Sequence, residues 1–286
     1  MEILDEFKKY LDNKYPIDGE QNTIKSYYSD IKQFLEFFEE YFGETIIDFK
    51  RVHVTEYKQK FLEKNEYKFS TINRKLASLS IYENFLIEKG YRKNKEKIIK
   101  EYDFYKIVRP YIPASKLPKK TAEKVKLKAG ENSKRDYAMM VLFLEGGLRV
   151  SELVHLELKR DIDFDMFSIK ILGKGNKIRT IAMEGLILEA IRDYLPEREI
   201  LLNGKKNKYL FVSNKTANTN TPMCRTSINN ILKKYCENIN EKKIHPHTLR
   251  HISATDKFQE GYSDLRLKMF LGHNSNATNV YTHPDD

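Results

Sequence analysis

The densest chemistry in the chain lies in five residues near its C-terminus, His247-Thr248-Leu249-Arg250-His251, followed by His273 and Tyr281. His247 and Arg250 are three apart, so on a helix they share a face and can converge on one small anion. Arginine offers a planar, permanently charged fork suited to phosphate oxygens, and histidine gives or takes a proton near neutral pH. The hydroxyl of Tyr281 is then a nucleophile for that phosphate. On these residues alone a basic helix with a stray histidine is the simpler reading. Arg149 and Lys174, far upstream, reverse the preference. His247 and His251 also stand four apart, as metal ligands can, but no Glu lies between them and no ligand set completes a site, so no metal is expected.

These residues need elements to place them. Residues 1–15 read as an amphipathic helix. A second helix, capped by Asn22 or Thr23, carries Ile24, Tyr27, Ile31, Phe34, Leu35 and Phe38 at helical spacing and ends at Gly43. A shorter helix over 55–64 follows, then a longer one capped by Ser70 and closed by Gly90. Together they predict a four-helix bundle whose aromatic stripes are core, not a platform for bases. From residue 91 the pattern loosens. Residues 92–97 are a basic run, and Pro110, Pro113 and Pro118 exclude a long helix, which predicts a linker. The second half opens near Thr121. Residues 137–145 are almost wholly apolar and read as a buried helix, broken by Gly146-Gly147, with Arg149 at the entrance to a helix over 150–156. Alternation at Phe167, Ile169 and Ile171, and again over 178–181, predicts a β-hairpin with Lys174 at its tip. Helices over 184–195 and 226–238 flank a short strand around 209–213. The last three helices begin near Pro246, Ser263 and Asn274.

Composition bounds the partner. The chain has 286 residues and a net charge of +10. Residues 1–100 hold 19 Lys+Arg and 18 Asp+Glu of the totals of 51 and 41, so +9 of the +10 falls in residues 101–286. A basic C-terminal two-thirds points to a polyanion, most simply nucleic acid, although a lysine-rich surface also serves solubility. No apolar run is long enough to span a bilayer and no signal-like segment opens the chain, which predicts a cytoplasmic protein. Cys224 and Cys236 are too few for a disulfide framework and read as packing residues.

Placed in order, the motifs resemble the tyrosine recombinases, also called phage integrases, and within them the Xer-like group. Gly147-Leu148-Arg149-Val150-Ser151-Glu152-Leu153 is similar to the family's first-arginine motif. The turn Gly173-Lys174-Gly175-Asn176-Lys177 resembles the one that presents its lysine. His247-Thr248-Leu249-Arg250-His251 resembles its histidine–arginine box, Leu271-Gly272-His273 its second histidine, and Val280-Tyr281-Thr282-His283 its nucleophile. The resemblance implies a mainly α fold with a small antiparallel β-sheet. Residues 1–105 would be a four-helix, SAM-like core-binding domain, 106–120 a basic, proline-containing linker, and 121–286 an α+β catalytic domain. The chain would then close on double-stranded DNA as a two-domain clamp.

The implied chemistry fits the residue types. Attack on a phosphodiester builds charge on its non-bridging oxygens, which Arg149 and Arg250 would hold from two sides. Losing one such donor costs on the order of 3 kcal/mol, about a hundredfold or more in rate. Tyr281 would form a 3′-phosphotyrosyl link. Its phenol, with an ordinary pKa near ~10, needs a base, and His247 is the better placed candidate, with His273 bonding the phosphate. Lys174 would protonate the departing 5′ oxygen, as the family's lysine does. No cofactor, metal or nucleotide is called for. Glu152 is a candidate to buttress Arg149, and His251 to pack behind the arginine.

The chain departs from the family pattern at two points. His273 and Tyr281 stand one residue closer than is usual, with Asn276 where an apolar residue is common, which bears on the reach of Tyr281. Five residues follow Tyr281, where Xer-like relatives usually carry a helix that docks on a neighbour. Self-assembly on DNA from dimer to tetramer is therefore an expectation that this terminus weakens. Two further readings use the same residues: a DNA-binding accessory protein with weakened catalysis, and a relaxing activity like that of type IB topoisomerases.

Overall fold

Apolar residues recurring every three to four positions, interrupted at glycines, divide the first hundred residues into helices. In the computed structural model, which describes residues 2–15, 21–43, 46–107, 118–173 and 177–272, these are α1 (Glu2–Lys14), α2 (Gln21–Phe42), α3 (Arg51–Glu56) and α4 (Phe69–Glu88). The third begins earlier than residue 55 and runs directly into a π-helical segment, Tyr57–Glu63. Lys68, not Ser70, caps α4. The aromatic stripe is core: Phe34 is fully buried and meets Phe38, Phe49 and Tyr57 edge-on at ring-centroid distances of 5.1, 5.6 and 5.1 Å. Such pairs favour edge-to-face geometry because the ring face is negative and its rim positive.

One buried carboxylate ties α2 to α4. Asp30 accepts from Ser78 Oγ at 2.7 Å and Lys75 Nζ at 3.0 Å, and pairs with Arg74. The basic run over 92–97 does not begin as solvated linker. Arg92 is buried, with Nε donating to Asp48 at 2.7 Å and Nη1 to Glu83 at 2.5 Å, and Ile99 joins the same core. The chain divides into two compact units, residues 1–109 and 110–286.

The second unit is built on α6 (Lys134–Leu144), buried along most of its length and packed by α5 (Lys119–Asn132), α9 (Leu186–Leu202) and α11 (Pro246–Gln259). Ser133 caps α6 by accepting from Asp136 N–H. Next come α7 (Val150–Val154) and α8 (Leu158–Asp161). Three antiparallel strands in sequence order follow: β1 (Ile162–Asp163), β2 (Ser168–Leu172) and β3 (Ile178–Ala182). Ile169 pairs with Ile181 and Ile171 with Arg179. Ile169, Ile171 and Ile181 turn toward the core, as the two-residue period of a half-buried sheet requires. The unit is completed by α10 (Arg225–Asn238) and, after α11, by α12 (Asp264–Leu271).

Three expectations are corrected here. Pro196 does not end the helix at residue 195; α9 continues to Leu202. Buried Arg198 holds its second half by donating to the carbonyls of Asn207, Tyr209 and Leu210. Those bonds also explain why residues 209–213 form no strand. Leu210, Phe211 and Val212 are fully buried, but their backbone is tied to Leu156 and the Tyr194 hydroxyl, leaving one isolated bridge between Glu157 and Tyr209. Cys236 is a packing residue as expected, whereas Cys224 is exposed. The expected helix near Asn274 lies outside the described residues. Among the described residues no helix is long and apolar enough to cross a membrane.

Candidate active site

The first arginine is placed by a glycine turn. At Gly147 the backbone takes φ of +60°, and a Cβ there would stand 2.8 Å from Cε1 of Phe270, so only glycine lets the chain reverse against α12. Two residues later Arg149 caps α7 in extended geometry. Its backbone N–H donates to Glu152 Oε2 at 2.7 Å, the carboxylate half of a capping box, and its Nη1 donates to Glu152 Oε1 at 2.7 Å. About a third of the Arg149 side chain stays exposed.

Arg250 comes from the first turns of α11, where Pro246 sets the start and His247 and Arg250 share a face. Unlike Arg149 it is almost completely buried. Its Nη1 donates to the Gly147 carbonyl at 2.5 Å and its Nη2 to the Leu271 carbonyl. Arg149 Nη1 reaches that same Leu271 carbonyl at 3.4 Å. Two guanidinium groups from helices a hundred residues apart thus meet over the last residue of α12.

Beneath them lies Glu152, with 3% of its side chain exposed. Burial alone would raise its carboxyl pKa. The hydrogen bonds and charge of Arg179, the Arg149 N–H and the charge of Arg250 overcome this and hold it below the usual carboxylate range. Arg179 was not singled out from the sequence. It projects from β3 and grips Glu152 with two parallel bonds, Nη1 to Oε1 at 2.9 Å and Nη2 to Oε2 at 2.8 Å. The signal for it was present only as a polar residue facing inward opposite Ile171.

His247 belongs to the same group. Desolvation, then the positive charges of Arg250 and Arg149, depress its pKa, so both arginines act on its ring. The His251 ring stands edge-on to it at 4.8 Å, and desolvation with the charges of His247 and Arg250 pushes His251 down to about 4. Both shifts favour the neutral imidazole at pH 7. Among the described residues no group of His, Cys, Asp or Glu could hold a metal ion.

Arg149, His247 and Arg250 are brought together. Lys174, His273 and Tyr281 lie outside the described residues. The elements that lead to them are described: Gly173 and Lys177 close the hairpin, the N–H of Gly173 donating to the Lys177 carbonyl at 2.8 Å. Gly272, with φ of +62°, lies so near Arg179 that a Cβ would be 3.1 Å from its Nη1.

Comparison with known proteins supports this architecture. Residues 117–286 match the sequence profile of the phage integrase family, and residues 4–90 match that of the phage integrase N-terminal SAM-like domain. The TnP I resolvase of Bacillus thuringiensis is 28% identical, over 100% of this chain and 96% of its own. The tyrosine recombinase XerC of Staphylococcus haemolyticus is 30% identical, over 92% of this chain and 86% of its own. Among solved structures, the Tn1549 transposon integrase in complex with transposon right end DNA matches with a TM-score of 0.72 at 20% identity, over 99% of this chain and 95% of that one. The XerH site-specific recombinase bound to difH substrate matches at 0.69 and 22% identity, over 92% and 76%. A paired-arginine site on a fold shared at this length leaves one assignment: the chain belongs to the phage integrase family of tyrosine recombinases, and within it to the Xer-like group.

Proposed function

We propose that this chain is a site-specific DNA recombinase that cuts and rejoins strands through a 3′-phosphotyrosyl intermediate, in resolving chromosome or plasmid dimers or in moving an element in and out of DNA. The observation that carries the reading is the convergence of Arg149 and Arg250 on one carbonyl, with His247 under the charge of both. Paired guanidinium groups in a partly desolvated site stabilise the charge that develops on phosphoryl oxygens.

In the proposed step the Oη of Tyr281 forms a bond to phosphorus and the bond from phosphorus to the 5′ oxygen breaks. The phenolic proton passes to neutral His247, and Lys174 delivers a proton to the 5′ oxygen as it leaves. His273 donates to a non-bridging oxygen. The energy of the broken ester is kept in the phosphotyrosine, so a 5′-hydroxyl of another strand can reverse the step. Residues 1–105 and 121–286 would grip the duplex from two domains joined by 106–120. The solved relatives bound to DNA, among them a lambda integrase tetramer on a Holliday junction, support double-stranded DNA as the partner and assembly from dimer to tetramer on it.

A nicked suicide duplex carrying a selected binding site tests the reading. Wild type should give a covalent adduct that survives denaturing electrophoresis, and Tyr281→Phe should give none while still shifting the duplex. A stable complex without adduct from wild type would overturn the recombinase and leave a DNA-binding accessory protein. Relaxation of plasmids that lack the site would mark a topoisomerase-like activity instead.

A further inference from the structure

Three arginines surround one buried carboxylate, and they do not hold it alike. Arg179 takes both oxygens of Glu152 in a parallel, bidentate pair. Arg149 reaches one oxygen through its side chain, and Arg250 stands 3.6 Å from the other. Arg179 is mostly buried, with both terminal nitrogens directed at Glu152, and its Nε is buried with no hydrogen-bond partner among the described residues. In a low-dielectric site a carboxylate so placed competes with any incoming anion for the remaining guanidinium groups.

We propose that Arg179 is a positioning residue: by neutralising Glu152 through both oxygens, it keeps that carboxylate from drawing Arg149 and Arg250 away from the phosphate. The cluster of three guanidinium groups and one carboxylate then carries a net charge of two, matched to an oxyanion that gains charge as it is attacked. Glu152 remains necessary as the cap that fixes the Arg149 backbone. Without Arg179 its charge would fall on the two arginines that face the substrate. The proposal rests on the reading of Arg149 and Arg250 as the phosphate clamp.

The charge argument gives a result that a purely structural role does not. Arg179→Met should weaken the clamp's affinity for inorganic phosphate, followed by NMR of the arginine side chains in the full chain, by at least tenfold. It should slow adduct formation on the suicide duplex by a similar or larger factor, with duplex affinity nearly unchanged. The double variant Glu152→Gln/Arg179→Met removes the competing carboxylate, while the amide oxygen can still accept the Arg149 N–H. It should recover most of the lost phosphate affinity. Arg179→Lys, which keeps the charge but not the parallel bonds, should fall between wild type and Arg179→Met, and it serves alone if the methionine variant does not fold.

The outcomes separate cleanly. If wild type forms the adduct and folded Arg179→Met or Arg179→Lys matches it in both assays, Arg179 has no such role and the recombinase reading stands. A double variant no better than Arg179→Met overturns the charge argument. If wild type forms no adduct yet binds phosphate in an Arg179-dependent way, the recombinase reading falls and the positioning role remains. A wild type that binds no phosphate at Arg149 and Arg250 overturns the proposal.

Discussion

The residues of the site divide by how they meet solvent. Arg149 is partly exposed and available to a large substrate, whereas Arg250 is buried and fixed by the carbonyls of Gly147 and Leu271. The exposed partner is open to the substrate while the buried one sets position, the division expected of a preorganised charge clamp. His247 is lowered in proton affinity first by burial and then by the field of both arginines. An imidazole whose pKa is depressed by burial and positive neighbours is neutral over a wider range of pH, so it can act as a base at and below neutrality. An NMR titration of the free protein should therefore place the His247 midpoint below the ordinary value of about 6.5. The acid limb of kcat/KM for adduct formation, which reports the free enzyme, should fall at the same pH and vanish in His247→Gln. Its sign is fixed: the rate rises with pH as the ring loses its proton, then levels. A limb centred above about 6.5 would mean that burial and the arginines do not act on this ring as described.

At the scale of elements, the site depends on a glycine turn closing against a short helix. The start of α7, the end of α12 and the inner face of β3 meet at Gly147, Gly272 and Arg179. Gly147→Ala would place a methyl group 2.8 Å from the Phe270 ring at φ of +60°. Strain of that kind costs about 2 kcal/mol or more, which for a unit of this size lowers the melting temperature by roughly 4–8 °C. Because the displaced partner is α12, adduct formation should fall by at least tenfold below the melting range, measured on the same suicide duplex. A variant that melts and cleaves like wild type would show that the turn does not position the site. Much of this frame was legible in the sequence. The buried helix α6, the double glycine after it, the hairpin and the face shared by His247 and Arg250 all follow from spacing alone. Helix α5 was not legible, since its buried face is Ala122, Val125 and Ala129 in a lysine-rich segment, too faint an apolar stripe to read. Residues 209–213 look like a strand because they are apolar and extended, but side chains and loop carbonyls elsewhere take their backbone bonds. The Arg179–Glu152 pair was hidden for the same reason. A contact across 27 residues between a strand and a helix cap leaves no periodic trace.

At the scale of the whole molecule the charge is lopsided, and the asymmetry determines how the chain should bind a duplex. Residues 101–286 carry +9 of the net +10, although residues 1–100 are nearly as long as a complete small domain. In the first unit many cations are committed internally: Arg92 to Glu83 and Asp48, Arg74 and Lys75 to Asp30, Arg51 to Asp103. The second unit pairs cations too, so the difference between the units lies in their net charge. Affinity for non-specific duplex should accordingly come mainly from the second unit and be steeply dependent on salt, since each neutralised phosphate releases condensed counterions. If six or more phosphates are contacted, raising salt from about 50 to 200 mM should weaken binding by roughly a thousandfold or more. Fluorescence anisotropy of a labelled duplex without the selected site would measure it. Replacing two exposed lysines of the second unit, Lys205 and Lys206, should leave the adduct chemistry intact and flatten the slope of log K against log salt by at most about two. A change in affinity without a change in slope would assign those lysines no phosphate contact. A slope near zero for wild type would instead deny the duplex an electrostatic grip altogether, and with it the partner that the excess of positive charge implies.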